Sequence, residues 1–211
     1  LDAIGTYTDA NFGYAEIDVA NYETVNIAAN KNSSGSVTTA EVATLTASSA
    51  TSVVLTGNAN TTIGSVTGGA MTSIDASALT GTLAVTFASS DKITATGSGT
   101  KATTFNFAST LDNNDTVVGG SATTDALTAT LTGKTAETGK LNISGVETIK
   151  LATTGTNTLD FTNVTGATKL KIDDNKQTIT GFDLGTTIVS TTDDSSVKIT
   201  AADSTGSADT L

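Results

Sequence analysis

The chain is built from short runs in which apolar and polar side chains alternate. LAVTF at 83–87 and LTATL at 127–131 show the pattern clearly. A period of two puts successive side chains on opposite faces of a β-strand. The runs last about five residues and are bounded by Gly, Ser, Asn or Asp, which favour turns. The predicted strands lie at 24–27, 43–46, 52–56, 72–75, 83–87, 92–96, 104–107, 127–131, 141–143, 147–151, 158–161, 170–172 and 197–199.

The spacing of these strands restricts the architecture to two candidates. A strand begins roughly every ten residues, which fits an antiparallel sandwich or a parallel solenoid. A sandwich typically has aromatic core anchors and Asn-Gly or Asp-Gly hairpins, whereas aromatic residues are only 4% of this chain and neither dipeptide occurs. A solenoid needs small side chains inside and stacked polar ones outside. We therefore predict an all-β fold, a parallel, right-handed β-solenoid or β-helix with short Thr-rich strands and coils of about 20 residues.

The same pattern bears on domain organisation. Residues 145–152, GVETIKLA, echo residues 21–28, NYETVNIA. We predict that residues 1–211 are a single β-solenoid segment of a larger protein. The echo indicates two related halves, 1–110 and 140–211, joined by an Asp-, Asn- and Gly-rich region.

Composition and charge exclude several classes of function. Thr is the most frequent residue, and the chain has no His, Cys, Trp or Pro. Without Cys there is neither a disulfide nor a thiolate metal site, and without His the commonest general base is missing. Ser residues have no Gly-x-Ser-x-Gly elbow. The net charge of -11 disfavours nucleic acid and anionic membranes, and no apolar run is long enough to cross a bilayer. We predict no enzymatic activity, no nucleic-acid partner and no membrane insertion.

The densest polar segment suggests a cation site. Calcium prefers six to eight oxygen ligands from carboxylates, amides and backbone carbonyls. A run of Asp and Asn, then a Gly pair and a further Asp, offers that chemistry, although a solvated Asx-rich turn explains the same residues. The candidate calcium ligands and turn residues are Asp112, Asn113, Asn114, Asp115, Gly119, Gly120 and Asp125.

A weaker candidate lies at the C-terminal end of the sequence. Asp203 and Asp209 flank a Gly- and Ser-containing segment that could begin a calcium repeat. Pairs such as Asp173-Asp174 are read first as turns between strands, because Asp is a preferred turn residue.

Four strand sequences follow one another in a characteristic order. TVNIAA at 24–29, SVVLTGNA at 52–59, TSIDASALTGT at 72–82 and VTF at 85–87 follow one another. This succession, over roughly residues 20–90, resembles the C-terminal lattice region of the RTX-type surface-layer (S-layer) proteins of Gram-negative bacteria. The chain departs from that family in lacking intact Gly-Gly-x-Gly-x-Asp nonapeptides.

The resemblance implies a function that composition alone does not give. It implies a secreted structural protein that self-assembles into a calcium-supported two-dimensional lattice at the extracellular cell surface. It also implies export by type I secretion and attachment to lipopolysaccharide through regions outside this segment. Two alternatives remain: the repetitive stalk of a secreted RTX-like adhesin, and a β-helix enzyme that degrades polysaccharides.

Overall fold

The chain folds as two facing parallel β-sheets joined by short loops. A computed structural model describes residues 6–7, 15–36, 38–89, 92–132, 139–154, 157–173, 177–182, 186–190 and 197–201. In these ranges every regular element is a β-strand. Every pairing between those strands is parallel. This confirms the predicted parallel β-solenoid and excludes the antiparallel sandwich. The handedness of the coil stays a prediction.

Strands alternate between the two main sheets along most of the chain. Sheet 1 contains β1 (Thr6–Tyr7), β3 (Thr24–Ala29), β5 (Ser52–Gly57), β7 (Ser73–Leu79), β9 (Thr94–Thr96), β11 (Thr116–Val118), β13 (Asn142–Ser144) and β16 (Val164–Thr165). Sheet 2 contains β2 (Ala15–Asp18), β4 (Thr39–Thr46), β6 (Asn60–Thr67), β8 (Leu83–Phe87), β10 (Thr103–Asn106), β12 (Ala126–Leu131), β14 (Thr148–Thr153), β17 (Lys169–Asp173) and β19 (Thr187–Ser190). A smaller sheet 3 contains β15 (Asn157–Asp160), β18 (Gln177–Phe182) and β20 (Val197–Ala201).

The strands of each sheet stack in chain order, one coil after the next. Ser73 pairs with Ser52 of the preceding coil and with Thr94 of the following one. Hydrogen bonds between adjacent coils commonly join residues 21 or 22 apart. The coil length therefore matches the prediction of about 20 residues. Both main sheets continue across the middle of the chain, where β11 pairs with β9 and β13 and β12 pairs with β10 and β14. The division into two related halves stays a prediction.

The core is a set of apolar columns between the two main sheets. Alternation makes one face of each strand apolar, and the parallel register then stacks those side chains on one another. Phe87 and Phe107 add an aromatic stack with ring centroids 4.4 Å apart. One buried column of sheet 1 consists of Val25, Val53, Ile74, Ala95, Val117, Ile143 and Val164. One buried column of sheet 2 consists of Val42, Ile63, Val85, Phe105, Leu127, Ile149 and Leu170.

The outward faces carry mostly small polar side chains, which explains the Thr content. On sheet 1, paired outward positions are held by Thr24, Ser52, Ser73, Thr94, Thr116 and Asn142. Thr suits these positions because its branched Cβ favours a strand and its hydroxyl remains solvated.

Some strands were not predicted. These are β1, β2, β6, β11, β16, β18 and β19. In β6 the alternation is interrupted at Gly64 and Ser65, where the register against β8 shifts between Ile63 and Val66. A β-bulge of this kind adds a residue and hides the period of two.

Candidate metal centre and the buried acidic turns

The first predicted calcium segment forms a turn between β10 and β11. Asp112 Oδ1 accepts a hydrogen bond from the backbone N of Asn114 at 2.7 Å. Asp115 Oδ2 accepts one from the backbone N of Asp112 at 2.9 Å. Asp115 Oδ1 accepts another from Ile93 N of the preceding coil at 3.0 Å. The Asp115 carboxylate thus closes its own turn and ties that turn to the coil before it.

The environment of Asp115 changes its acidity. The residue is only 2% exposed. Burial raises the pKa of Asp115 to about 6, against the lowering effect of the bonds from Asp112 and Ile93 and with a small further rise from the Asp112 charge. At neutral pH the carboxylate is mostly ionised and can accept both N–H groups.

Asp125 forms a second buried turn at the start of β12. Its side chain is 0% exposed. Oδ1 accepts from Thr103 N of the preceding coil at 2.6 Å, and Oδ2 accepts from Gly120 N at 2.8 Å. Its own backbone N donates to Glu147 Oε2 of the next coil at 2.8 Å. Three successive coils are therefore joined at one corner through Asp125.

Glu147 was not singled out from the sequence. It stands immediately before β14, as Asp125 stands immediately before β12. That shared position, an acidic residue directly preceding an alternating run, is the signal that could have identified it. Ser98 is a further buried polar group: its Oγ donates to Leu79 O at 2.9 Å. Each of these side chains forms a hydrogen bond with a backbone atom at the start or end of a strand. Buried polar atoms are usually hydrogen-bonded in this way.

Gly119 and Gly120 lie where neighbouring coils approach closely. A Cβ on Gly119 would overlap the carbonyl oxygen of Gly145, and one on Gly120 would overlap that of Ser98. Neither glycine has the positive φ that would otherwise demand this residue type. Their role in the fold is to let backbone approach backbone.

Replacing Gly120 with alanine is expected to lower the free energy of unfolding by about 2 to 3 kcal/mol, because the added methyl must displace the Ser98 carbonyl. The matched control is Gly69→Ala, where no atom lies within 4 Å of the new Cβ; we expect a change of about 0.5 kcal/mol or less. Urea unfolding followed by circular dichroism measures both. Equal effects for the two variants would contradict the close approach at Gly120.

The predicted calcium ligands do not converge in the described residues. Calcium needs several free oxygens directed at one point, whereas both side-chain oxygens of Asp115 and of Asp125 already accept backbone N–H groups. Asn113 and Asn114 are exposed. No group of three or more Asp or Glu side chains that could hold a metal occurs in the described part. In the described residues Asp115 and Asp125 are engaged by backbone N–H groups, and calcium binding by the segment 112–125 stays a prediction. Asp203 and Asp209 lie outside the described residues.

A surface depression lies near the end of sheet 1, next to sheet 3. The described residues that line it are mostly apolar and include no titratable side chain. They are Phe161, Val164, Gly166, Ala167, Leu170, Phe182 and Thr186. The hydroxyl of Thr186 donates to Ala167 O at 2.8 Å.

The fold and its acidic turns define the class of this protein as a two-sheet parallel β-solenoid stabilised by inter-coil hydrogen bonds. No protein-family model, curated protein or solved structure matches the chain. In the described part of the chain no helix is long and apolar enough to cross a membrane.

Proposed function

We propose that the chain is a non-catalytic, structural segment of a self-assembling protein array at the extracellular cell surface. The observation that carries the proposal is the pair of continuous parallel ladders with small, mostly uncharged outward side chains. Such faces are regular and repeat every coil, so they suit extended contacts between identical copies.

The buried acids support a structural role. Asp115 and Asp125 accept hydrogen bonds from backbone N–H groups of their own coil and of the preceding one. The described residues that line the apolar depression include no titratable side chain. Carboxylates used in this way stabilise the stack.

The remaining parts of the proposal come from the resemblance to RTX-type surface-layer proteins. They are export by type I secretion, attachment to lipopolysaccharide through other regions, and support by calcium. We place the calcium dependence outside the turns of Asp115 and Asp125, whose oxygens are engaged. Asp203 and Asp209 are its candidate ligands.

Electron microscopy of the purified full-length protein with calcium is expected to reveal two-dimensional arrays. A chelator is expected to disperse them, and Asp203→Asn with Asp209→Asn to reproduce that loss. Asp115→Asn serves as the control that leaves the response to calcium intact. Isolated fibres in place of arrays would support the adhesin stalk, and new reducing ends from polysaccharides would support an enzyme. Arrays that persist in the chelator would contradict the calcium dependence alone.

A further inference from the structure

The outward face of sheet 2 has charges of opposite sign at its two ends. Glu16 and Asp18 on β2, with Glu41 on β4, are exposed; we call them the acidic end. Lys150 on β14, with Lys169 and Lys171 on β17, lie on the same face at the other end; we call them the basic end. One carboxylate, Asp173 of β17, shares this end with the three lysines.

The strands between the two ends carry no charge on that face. Outward positions of β6, β8, β10 and β12 are held by Asn60, Thr62, Ser65, Thr67, Ala84, Thr86, Thr104, Asn106, Ala126, Thr128 and Thr130. These side chains are short and uncharged. The face is therefore an uncharged surface with an acidic end and a basic end, within a chain whose net charge is -11.

The basic end is unfavourable in an isolated molecule. Lys150 and Lys171 are directly paired neighbours on adjacent strands, and like charges in that relation destabilise a sheet. Lys150 Nζ lies 3.0 Å from Asp173 Oδ2. Within the described residues no carboxylate comes within ion-pair distance of Lys169 or Lys171. An external group with negative charge would relieve this repulsion.

We propose that two copies of this chain pair face to face through sheet 2, with the basic end of each against the acidic end of the other. The inference rests on the proposed function and specifies one contact of the array. A two-fold axis parallel to the strands, passing between β8 and β10, reverses the order of strands in the second copy. It places β17 opposite β2 and β14 opposite β4, so that each basic end meets an acidic end.

The size of the face is adequate for such a pair. The axis leaves β19 without an opposite strand, so eight strands of each copy overlap. Seven steps of about 4.8 Å with strands about 17 Å long make a face of about 570 Å². Two copies would bury about 1,150 Å², above the roughly 1,000 Å² expected of a biological interface. The uncharged centre supplies the contact area, and the charged ends fix the direction and register of the partner.

Charge reversal at the basic end tests the pairing. Lys169→Glu with Lys171→Glu is expected to weaken self-association by roughly tenfold or more in sedimentation equilibrium. Glu16→Lys with Glu41→Lys is expected to have the same effect. Mixed in equal amounts, the two variants should associate with each other, because both pairs of ends are then complementary. The matched control is Lys31→Glu with Lys198→Glu, because both lysines lie outside this face. This control variant should associate like the wild type.

The outcomes separate this inference from the proposed function. Thermal melting by circular dichroism first establishes that each variant folds. Arrays with unchanged association in both reversed variants would overturn the pairing and leave the array proposal standing. Paired copies with rescue in the mixture, but no arrays, would uphold the pairing and contradict the array. Binding to lipopolysaccharide vesicles that needs Lys169 and Lys171, without self-association, would assign the basic end to anionic lipid and overturn the pairing.

Discussion

Replacing Asp125 with alanine is expected to lower the free energy of unfolding by about 3 to 5 kcal/mol. The carboxylate is fully buried and accepts hydrogen bonds from Thr103 N and Gly120 N. Hydrogen bonds to a charged acceptor contribute about 1.5 to 3 kcal/mol each, and truncation leaves both donors without an acceptor. Urea unfolding by circular dichroism measures the change.

Two control variants give smaller expected losses of stability, against which the loss for Asp125→Ala can be compared. Asp125→Asn keeps one acceptor oxygen but presents an NH₂ group to the other donor, so we expect an intermediate loss. Asp112→Ala removes one hydrogen bond at a partly exposed turn, and we expect a loss of about 1 kcal/mol. A loss for Asp125→Ala no larger than that for Asp112→Ala would contradict the role of Asp125 in joining the coils.

The same variant distinguishes a structural carboxylate from a calcium ligand. A structural Asp125 should give the same loss with calcium and with a chelator. If the loss appeared only with calcium present, and the wild type in chelator matched the variant, Asp125 would be a ligand after all.

The wild type is expected to lose roughly 2 kcal/mol of stability, relative to an Asp115→Asn variant, as the pH rises from 4 to 7. Asp115 has its pKa raised from 3.8 to about 6 in the folded chain. Between those values the folded chain keeps a proton that the unfolded chain has lost. Stability from this group is therefore complete below pH 3.8 and declines as the pH rises through 6.

Comparison with Asp115→Asn at each pH isolates this contribution. Other carboxylates act in the opposite direction: hydrogen bonds from Thr162 lower the pKa of Asp160, which favours the folded chain as the pH rises. The difference between wild type and variant cancels those groups. A difference that stays constant from pH 4 to 7 would contradict the buried, raised pKa of Asp115.

The strand pattern was the part of the fold most visible in the sequence. Alternation at 127–131 predicted β12 because every inward position there is apolar. The same reasoning missed β6, where a bulge at Gly64 and Ser65 breaks the period. It also missed β11, where apolar Val118 holds an outward position and hides the alternation.

The sequence identified the acidic residues of the segment 112–125, but it could not predict their hydrogen-bond partners. The sequence placed Asp112, Asp115 and Asp125 close together along the chain, which suggested one cation site. In the folded chain Asp115 accepts from Ile93, and Asp125 accepts from Thr103, each 22 residues earlier. Which oxygen meets which N–H depends on how one coil lies on the preceding one.

The sequence by itself determined an all-β chain with short, Thr-rich strands and a coil of about 20 residues, because side-chain alternation and turn residues act locally. Only the tertiary structure decided that Asp115 and Asp125 bind backbone, that Gly119 and Gly120 allow a neighbouring coil to approach, and that one face gathers exposed acids at one end and lysines at the other. Each of these depends on the parallel register, which brings together residues about 22 positions apart and whose contacts no local pattern records.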